Sequence, residues 1–127
     1  MLHEAGPPGE GAGPRQVGRG AAVLAGLALL VYLATLAPGL SFEHSGTDGG
    51  DLVAAAWNLG VPHPTGYPTY TLLAWLFTRL PVGVVAYRVN LLSAACAAGT
   101  VGLLYAALRL LAAGHGTGGT LALKTLL

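Results

Sequence analysis

Two carboxylates three residues apart, Asp48 and Asp51, are the groups in this chain best suited to chemistry. A carboxylate within hydrogen-bond reach of a hydroxyl acts as a general base, and a position at the edge of a membrane raises its pKa toward working pH. The same spacing also suits the start of a helix, where Asp48 caps the first turn and Asp51 favours the helix dipole. The two interpretations are compatible, because a residue that caps a helix can also face a cavity.

Two further residues, of types that commonly bind substrates, follow the carboxylates in the sequence. His63 lies between two prolines, which fix the local backbone, so its imidazole either bonds to the backbone in a turn or contacts a substrate. Arg88 suits a phosphate, which a guanidinium binds with two parallel hydrogen bonds, and it equally suits an interfacial anchor. No second histidine lies at metal-ligand spacing, so we assign no metal ligands and leave a divalent-metal requirement open.

The composition predicts a membrane protein. Of the 127 residues, 54% are hydrophobic and only 9% are charged, with a mean hydropathy of +0.64. Soluble domains carry about 25% charged residues. The net charge of +1 offers no basic field for nucleic acid. The single cysteine, Cys96, implies no disulfide framework and is predicted to be a small buried hydrophobe.

Hydrophobic runs divide the chain into five segments. Residues 1–19 predict a disordered cytosolic tail, and 20–37 an uncleaved transmembrane helix of about 27 Å. Residues 38–88 form a connecting loop, and 89–113 a second span. Residues 114–127 predict a linker and an incomplete apolar stub. A signal peptide competes for the first span, but its best cleavage site is poor.

Basic residues at the outer ends of both spans place those ends in the cytoplasm and the loop outside. The loop contains two short helix candidates, 51–59 and 69–80, both too short to span a bilayer. Four aromatic residues suit an aromatic belt at the headgroup level, namely Trp57, Trp75, Tyr67 and Tyr70, and Arg79 suits an interfacial anchor. The predicted fold class is therefore an all-α membrane protein, with two transmembrane helices joined by an external loop that carries two interfacial helices.

A long motif in the loop and at the start of the second span resembles a known family. It comprises Asp48-Gly49-Gly50-Asp51-Leu52, then Gly60-Val61-Pro62-His63-Pro64-Thr65-Gly66-Tyr67-Pro68, then Tyr87-Arg88-Val89-Asn90-Leu91-Leu92-Ser93-Ala94. This pattern resembles a bacterial multi-pass family long labelled a domain of unknown function, which is similar to the protein O-mannosyltransferases of the GT-C superfamily. The resemblance implies the N-terminal portion of a GT-C fold.

The resemblance also implies a chemistry. GT-C enzymes use a polyprenyl-phosphate sugar as a lipid-linked donor, and an acidic residue of their first external loop is catalytic. Asp48 and Asp51 fall on the acidic positions of the family's Asp-Ser-Gly-Glu pattern, with Gly49 in place of Ser and the shorter Asp51 in place of Glu. Asp48 is therefore the implied base. His63 and Tyr67 would shape the substrate pocket, and Arg88 would stabilise the departing lipid phosphate.

Two functions follow as expectations. The first is the N-terminal fragment of a membrane glycosyltransferase in a bacterial inner membrane, inactive alone, with membrane lipid, the polyprenyl-phosphate sugar and an acceptor protein or glycan as partners. The second is a small structural or assembly membrane protein whose loop docks a partner without catalysis. A transporter fragment would carry an acid inside a span, and neither span contains one.

Overall fold

The computed structural model describes residues 13–41 and 48–124, with side chains described as far as Gly114. Helices are the regular structure of this part of the chain, and it contains no strand, which confirms the predicted all-α class. The four helices are α1 (Pro14–Thr35), α2 (Gly49–Asn58), α3 (Pro68–Thr78) and α4 (Val85–Lys124). The described chain falls into two units: residues 13–27 with 99–124, and residues 28–98.

Helices α1 and α4 are long and apolar enough to cross a membrane. Large apolar side chains of α1 are exposed, among them Leu27, Leu30 and Val31 at 55%, 64% and 61%. Helix α1 begins earlier than the predicted residue 20. Pro14 suits the first helical position because it lacks the N–H that would be unpaired there, and Gly13 O accepts hydrogen bonds from the next turn. Residues 14–19 are therefore helical rather than part of the predicted disordered tail, whose residues 1–12 lie outside the described chain.

Helix α4 extends beyond both predicted ends of the second span. It begins at Val85 rather than at residue 89, and its backbone stays helical through the predicted linker, 114–119, to Lys124. Glycine costs about 1 kcal/mol relative to alanine inside a helix, so the glycine-rich sequence weakens the helix without ending it, and no proline interrupts it. Of the predicted stub, 125–127 lie outside the described residues.

The two short helices form as predicted, with shifted bounds: Gly49–Asn58 instead of 51–59, and Pro68–Thr78 instead of 69–80. They pack against each other and against the start of α4 in the second unit. Ala56 and Ala74 are fully buried at this contact, with Val89 and Leu92 of α4 completing a small core. The methyl side chains of the two alanines allow α2 and α3 to approach closely and so fix the loop that follows α2.

In the first unit, α1 and α4 approach closely at glycine positions. A Cβ atom added to Gly102 would lie 2.9 Å from Ala21 O and 3.1 Å from Ala25 Cβ. The backbone of α1 therefore leaves no room for a side chain at Gly102. Cys96, in the second unit, is exposed on α4 and not buried as predicted.

Candidate active site

Asp48 lies at the N-cap position of α2, as the capping interpretation predicts, but its side chain makes no capping hydrogen bond. Its backbone φ and ψ of −111° and −20° are in the right-handed helical region, whereas a capping residue typically has an extended backbone. Only its carbonyl takes part in the helix, accepting from Leu52 N at 3.0 Å. Asp48 is exposed, and its carboxylate lies at the start of α2 without capping the helix.

Asp51 is paired with His63, and this contact joins the first turn of α2 to the loop after it. Asp51 Oδ2 accepts two hydrogen bonds from that residue, from the backbone N–H at 2.9 Å and from ring Nδ1 at 2.8 Å. The side chains of His63 and Asp51 remain 36% and 47% exposed. The loop therefore runs back along α2 to its beginning, and the predicted capping role of Asp51 is replaced by this pairing.

The pairing sets the charge state of Asp51 and the orientation of the imidazole. The backbone hydrogen bond from His63, and then that from its ring, hold the pKa of the Asp51 carboxyl below its ordinary value, so it is ionised at neutral pH. An ionised carboxylate only accepts, so Nδ1 carries the proton that it donates. In the neutral imidazole the other nitrogen, Nε2, then has a lone pair that is able to accept a hydrogen bond from a hydroxyl.

Tyr67 packs against the same imidazole. The two rings are 5.4 Å apart between centroids and inclined by 64°, an edge-to-face arrangement. Tyr67 has a left-handed backbone, with φ of 41°, and directly precedes Pro68 at the start of α3. The structure thus brings together three of the predicted site residues, Asp51, His63 and Tyr67, at the beginning of α2.

Arg88 is bound to backbone carbonyls at the turn between α3 and α4. Its Nε donates to Val82 O at 2.7 Å, Nη1 to Thr78 O at 2.9 Å and Nη2 to Gly83 O at 2.9 Å. These contacts favour the anchoring interpretation of Arg88. A guanidinium has five N–H donors, so two remain for a phosphate, and that predicted role stays a prediction.

A cleft of about 430 Å³ lies in the second unit beside the first turn of α2. Its wall includes apolar side chains from α1, α2 and α4, and also the polar residues Thr35, Ser41, Tyr70, Asn90 and Ser93. Burial raises the pKa of the Tyr70 phenol, which stays protonated as a hydrogen-bond donor. Gly49 lines the cleft, and Asp48 directly precedes it.

Asn90 is a positioning residue to which the sequence interpretation assigned no role. Its Nδ2 donates to Ala37 O and Gly39 O, each at 3.2 Å, and so holds the segment after α1 against α4. The sequence did contain a signal for this role, an amide side chain inside an apolar span. Such a group needs a hydrogen-bond partner from the protein, because no water is available there. Within the described residues, no group of three or more His, Cys, Asp or Glu side chains is placed to hold a metal ion.

Comparisons with known proteins support the resemblance to protein O-mannosyltransferases that the motif indicated. The model of the protein O-mannosyl-transferase TMEM260 N-terminal domain matches residues 48–123. Protein O-mannosyl-transferase TMEM260 from Mus musculus is 43% identical over 125 residues, covering 95% of this chain and 17% of the mouse protein. The Dictyostelium discoideum protein of the same name is 34% identical over 67 residues, covering 50% of this chain and 8% of its own length. No solved structure matches.

The chain thus spans less than a fifth of the length of these two relatives. The match to the family model begins at Asp48 and includes Asp51, His63, Tyr67 and Arg88. It extends over more than half of the chain. The chain therefore belongs to the TMEM260 N-terminal domain family of protein O-mannosyltransferase-like proteins.

Proposed function

We propose that this chain is the N-terminal part of a GT-C membrane glycosyltransferase that transfers mannose from a polyprenyl-phosphate donor to an acceptor hydroxyl on the external face. The relatives are named as protein O-mannosyl-transferases, and two helices are long enough to span a membrane. The acceptor is a protein or glycan hydroxyl. Because the chain covers only 17% of the mouse relative, we expect the 127-residue chain to be inactive alone.

The main support for this proposal is the different hydrogen bonding of the two carboxylates, Asp48 and Asp51. Asp51 is held by two hydrogen bonds from His63, whereas the exposed carboxylate of Asp48 has no capping bond at the start of the same helix. A general base must have an oxygen available for the incoming hydroxyl proton. Asp48 meets this requirement, and we assign it as the base and Asp51 as the residue that positions His63.

The proposed reaction is a direct displacement at the anomeric carbon. The acceptor oxygen forms the new glycosidic bond, the bond to the donor phosphate breaks with its electron pair on that phosphate, and the hydroxyl proton passes to Asp48. His63 and Tyr67 bind the sugar or the acceptor, since Nε2 and the phenol are polar groups on a loop fixed by the Asp51 pairing. The free N–H groups of Arg88 are the proposed contact for the departing phosphate.

The proposed orientation places both outer helix ends in the cytoplasm and the loop 38–88 on the opposite face. Arg15 and Arg19 support this at one end, and Arg109 and Lys124 at the other. A bacterial inner membrane stays a prediction from the sequence resemblance. The two relatives above come from Mus musculus and Dictyostelium discoideum, so a eukaryotic membrane with the loop on its lumenal side is the competing location.

A donor assay tests the proposal. A full-length protein carrying this sequence is reconstituted in vesicles and supplied with an acceptor peptide and mannose on either a polyprenyl phosphate or a nucleoside diphosphate. We expect transfer from the polyprenyl donor only. Equal transfer from the nucleotide sugar would contradict the proposed donor class.

The alternative is a loop that docks a partner without catalysis. It has one specific support, since Val61 and Leu59 are 88% and 49% exposed on the loop after α2. Absence of transfer from both donors, together with loss of a bound partner in Val61→Ser, would favour that alternative.

A further inference from the structure

Arg79 lies against the only two tryptophans of the chain. Its guanidinium carbon is 4.8 Å from the ring centre of Trp75 and 5.7 Å from that of Trp57. Trp75 precedes Arg79 by one helical turn, and Trp57 comes from the last turn of α2. A cation within about 6 Å of an indole centre is attracted to its face, so the two rings limit the positions open to this arginine.

The positive charge of Arg79 has no carboxylate within ion-pair distance among the described residues; the ion pair found there is Asp51–His63. Arg79 is exposed, and so is Trp57 at 44%. The cluster therefore presents a cation between two amphipathic rings, and among the described residues this cation has no carboxylate partner that would compete with an anionic ligand.

The chain connection places this cluster at the end of a membrane-spanning helix. The apolar stretch of α4 begins at Val85, six residues after Arg79. Arg88, on the first turn of α4, binds Thr78 O and Gly83 O, which ties the end of α3 to the start of that span. In a membrane crossed by α4, Arg79 would lie near the end of that span, where the headgroup region begins.

Helix α3 also exposes an apolar side next to the cluster. Leu72 and Leu76 on α3, and Leu80 just beyond its end, follow one another at four-residue intervals and are 58%, 56% and 38% exposed, and Leu73 of α3 is 43% exposed. A short helix with exposed leucines, flanking tryptophans and one cation suits the plane between headgroups and acyl chains.

We propose that the cluster of Trp57, Trp75 and Arg79 is a lipid-binding site, in which the guanidinium binds the phosphate of a bilayer glycerophospholipid. The two indoles lie at the carbonyl level of the same lipid, and the exposed leucines of α3 contact its acyl chains. The site holds α3 flat in the interface. It rests on the membrane location of the chain and is independent of the proposed sugar transfer.

Fluorescence of the full chain in phosphatidylcholine vesicles tests the location, since Trp57 and Trp75 are its only indoles. Lipids brominated near the carbonyl end of the acyl chain should quench the emission more strongly than lipids brominated near the methyl end. Stronger quenching by the deep label, or no quenching by either, would overturn the interfacial location. Absence of quenching is also the result expected if another protein segment covers α3.

Solid-state NMR tests the phosphate contact directly. In vesicles, ³¹P dephasing of the ¹³C-labelled arginine Cζ signals is compared between the wild type and Arg79→Gln. The difference spectrum isolates the Cζ signal of Arg79. This signal should be dephased, since the proposed site places a lipid phosphate in hydrogen-bond contact with the guanidinium. A difference signal without dephasing would overturn the proposal.

A matched control uses the other arginine that lies over an aromatic ring. Arg109 is 5.9 Å from the ring centre of Tyr105, on the part of α4 remote from Arg79 in sequence. Arg109→Gln should leave the bromine quenching profile unchanged, whereas Arg79→Gln should reduce the difference between shallow and deep quenching. Equal profiles for Arg79→Gln and the wild type would contradict a role of Arg79 in holding α3.

Discussion

The contact between Asp51 and His63 determines the local arrangement of the candidate site at the scale of single residues. Both were selected from the sequence by type, the first as one of a carboxylate pair and the second for its place between prolines. Their pairing was not predicted, because it depends on the chain reversing after Leu59 and returning over twelve residues. The helix-cap interpretation correctly placed Asp48 at the N-cap, but the side-chain bonds it requires do not form.

A double-mutant cycle tests this pairing. Asp51→Asn, His63→Gln and the double variant should show a stabilising coupling in thermal unfolding in detergent at pH 6. The pKa of Asp51 is lowered in the folded state, so its contribution is present above the ordinary aspartate pKa of about 3.9 and is lost as pH falls through the lowered value. The coupling should therefore disappear in strong acid. A coupling that stays constant from pH 6 downward would contradict an ionised Asp51 as its source.

Leu59 ends α2 in a left-handed backbone conformation, with φ of 52° and ψ of 36°. This conformation costs a residue with a side chain about 1 kcal/mol, and glycine adopts it freely. We expect Leu59→Gly to raise the free energy of unfolding by about 1 kcal/mol relative to Leu59→Ala, which removes the same side chain but keeps the strain. Equal stabilities of the two variants in thermal unfolding would show that the strain is absent.

At the scale of elements, hydrophobic run length and helix-breaking residues predicted all four helices. Their ends were less predictable. Pro14 starts α1 within a segment whose composition suggested disorder, and the glycines after Ala113 do not end α4. Composition reports average propensity, whereas a helix end depends on particular hydrogen bonds, such as those accepted by Gly13 O.

The packing of α1 against α4 gives a prediction with an internal control. Alanine at Gly102 would place its Cβ 2.9 Å from a backbone oxygen of α1, whereas alanine at Gly99, also on α4, meets nothing within 4 Å. Gly102→Ala should therefore be less stable than Gly99→Ala by about 1–3 kcal/mol, the usual cost of overpacking. Unfolding in mixed detergent measures both variants. Equal stabilities would contradict the close approach of the two helices.

At the scale of the whole molecule, the membrane class follows from composition alone, and the family from a motif that runs from Asp48 to Pro68 and resumes at Tyr87. The structure adds what a motif does not contain. It separates the two carboxylates by their partners, and it places Arg88 on the turn between α3 and α4. Such differences depend on three-dimensional contacts between segments, so they were not accessible from residue spacing.

The central claim is that Asp48 accepts the acceptor proton in sugar transfer. The most direct measurement is the rate of transfer per bound donor by a full-length protein carrying this sequence, compared with its Asp48→Asn variant. We predict a fall of about 100-fold or more, the usual contribution of a general base, with donor affinity unchanged because asparagine keeps the size and polarity of the side chain. A rate within a few-fold of the wild type would contradict the assignment of Asp48 as the base.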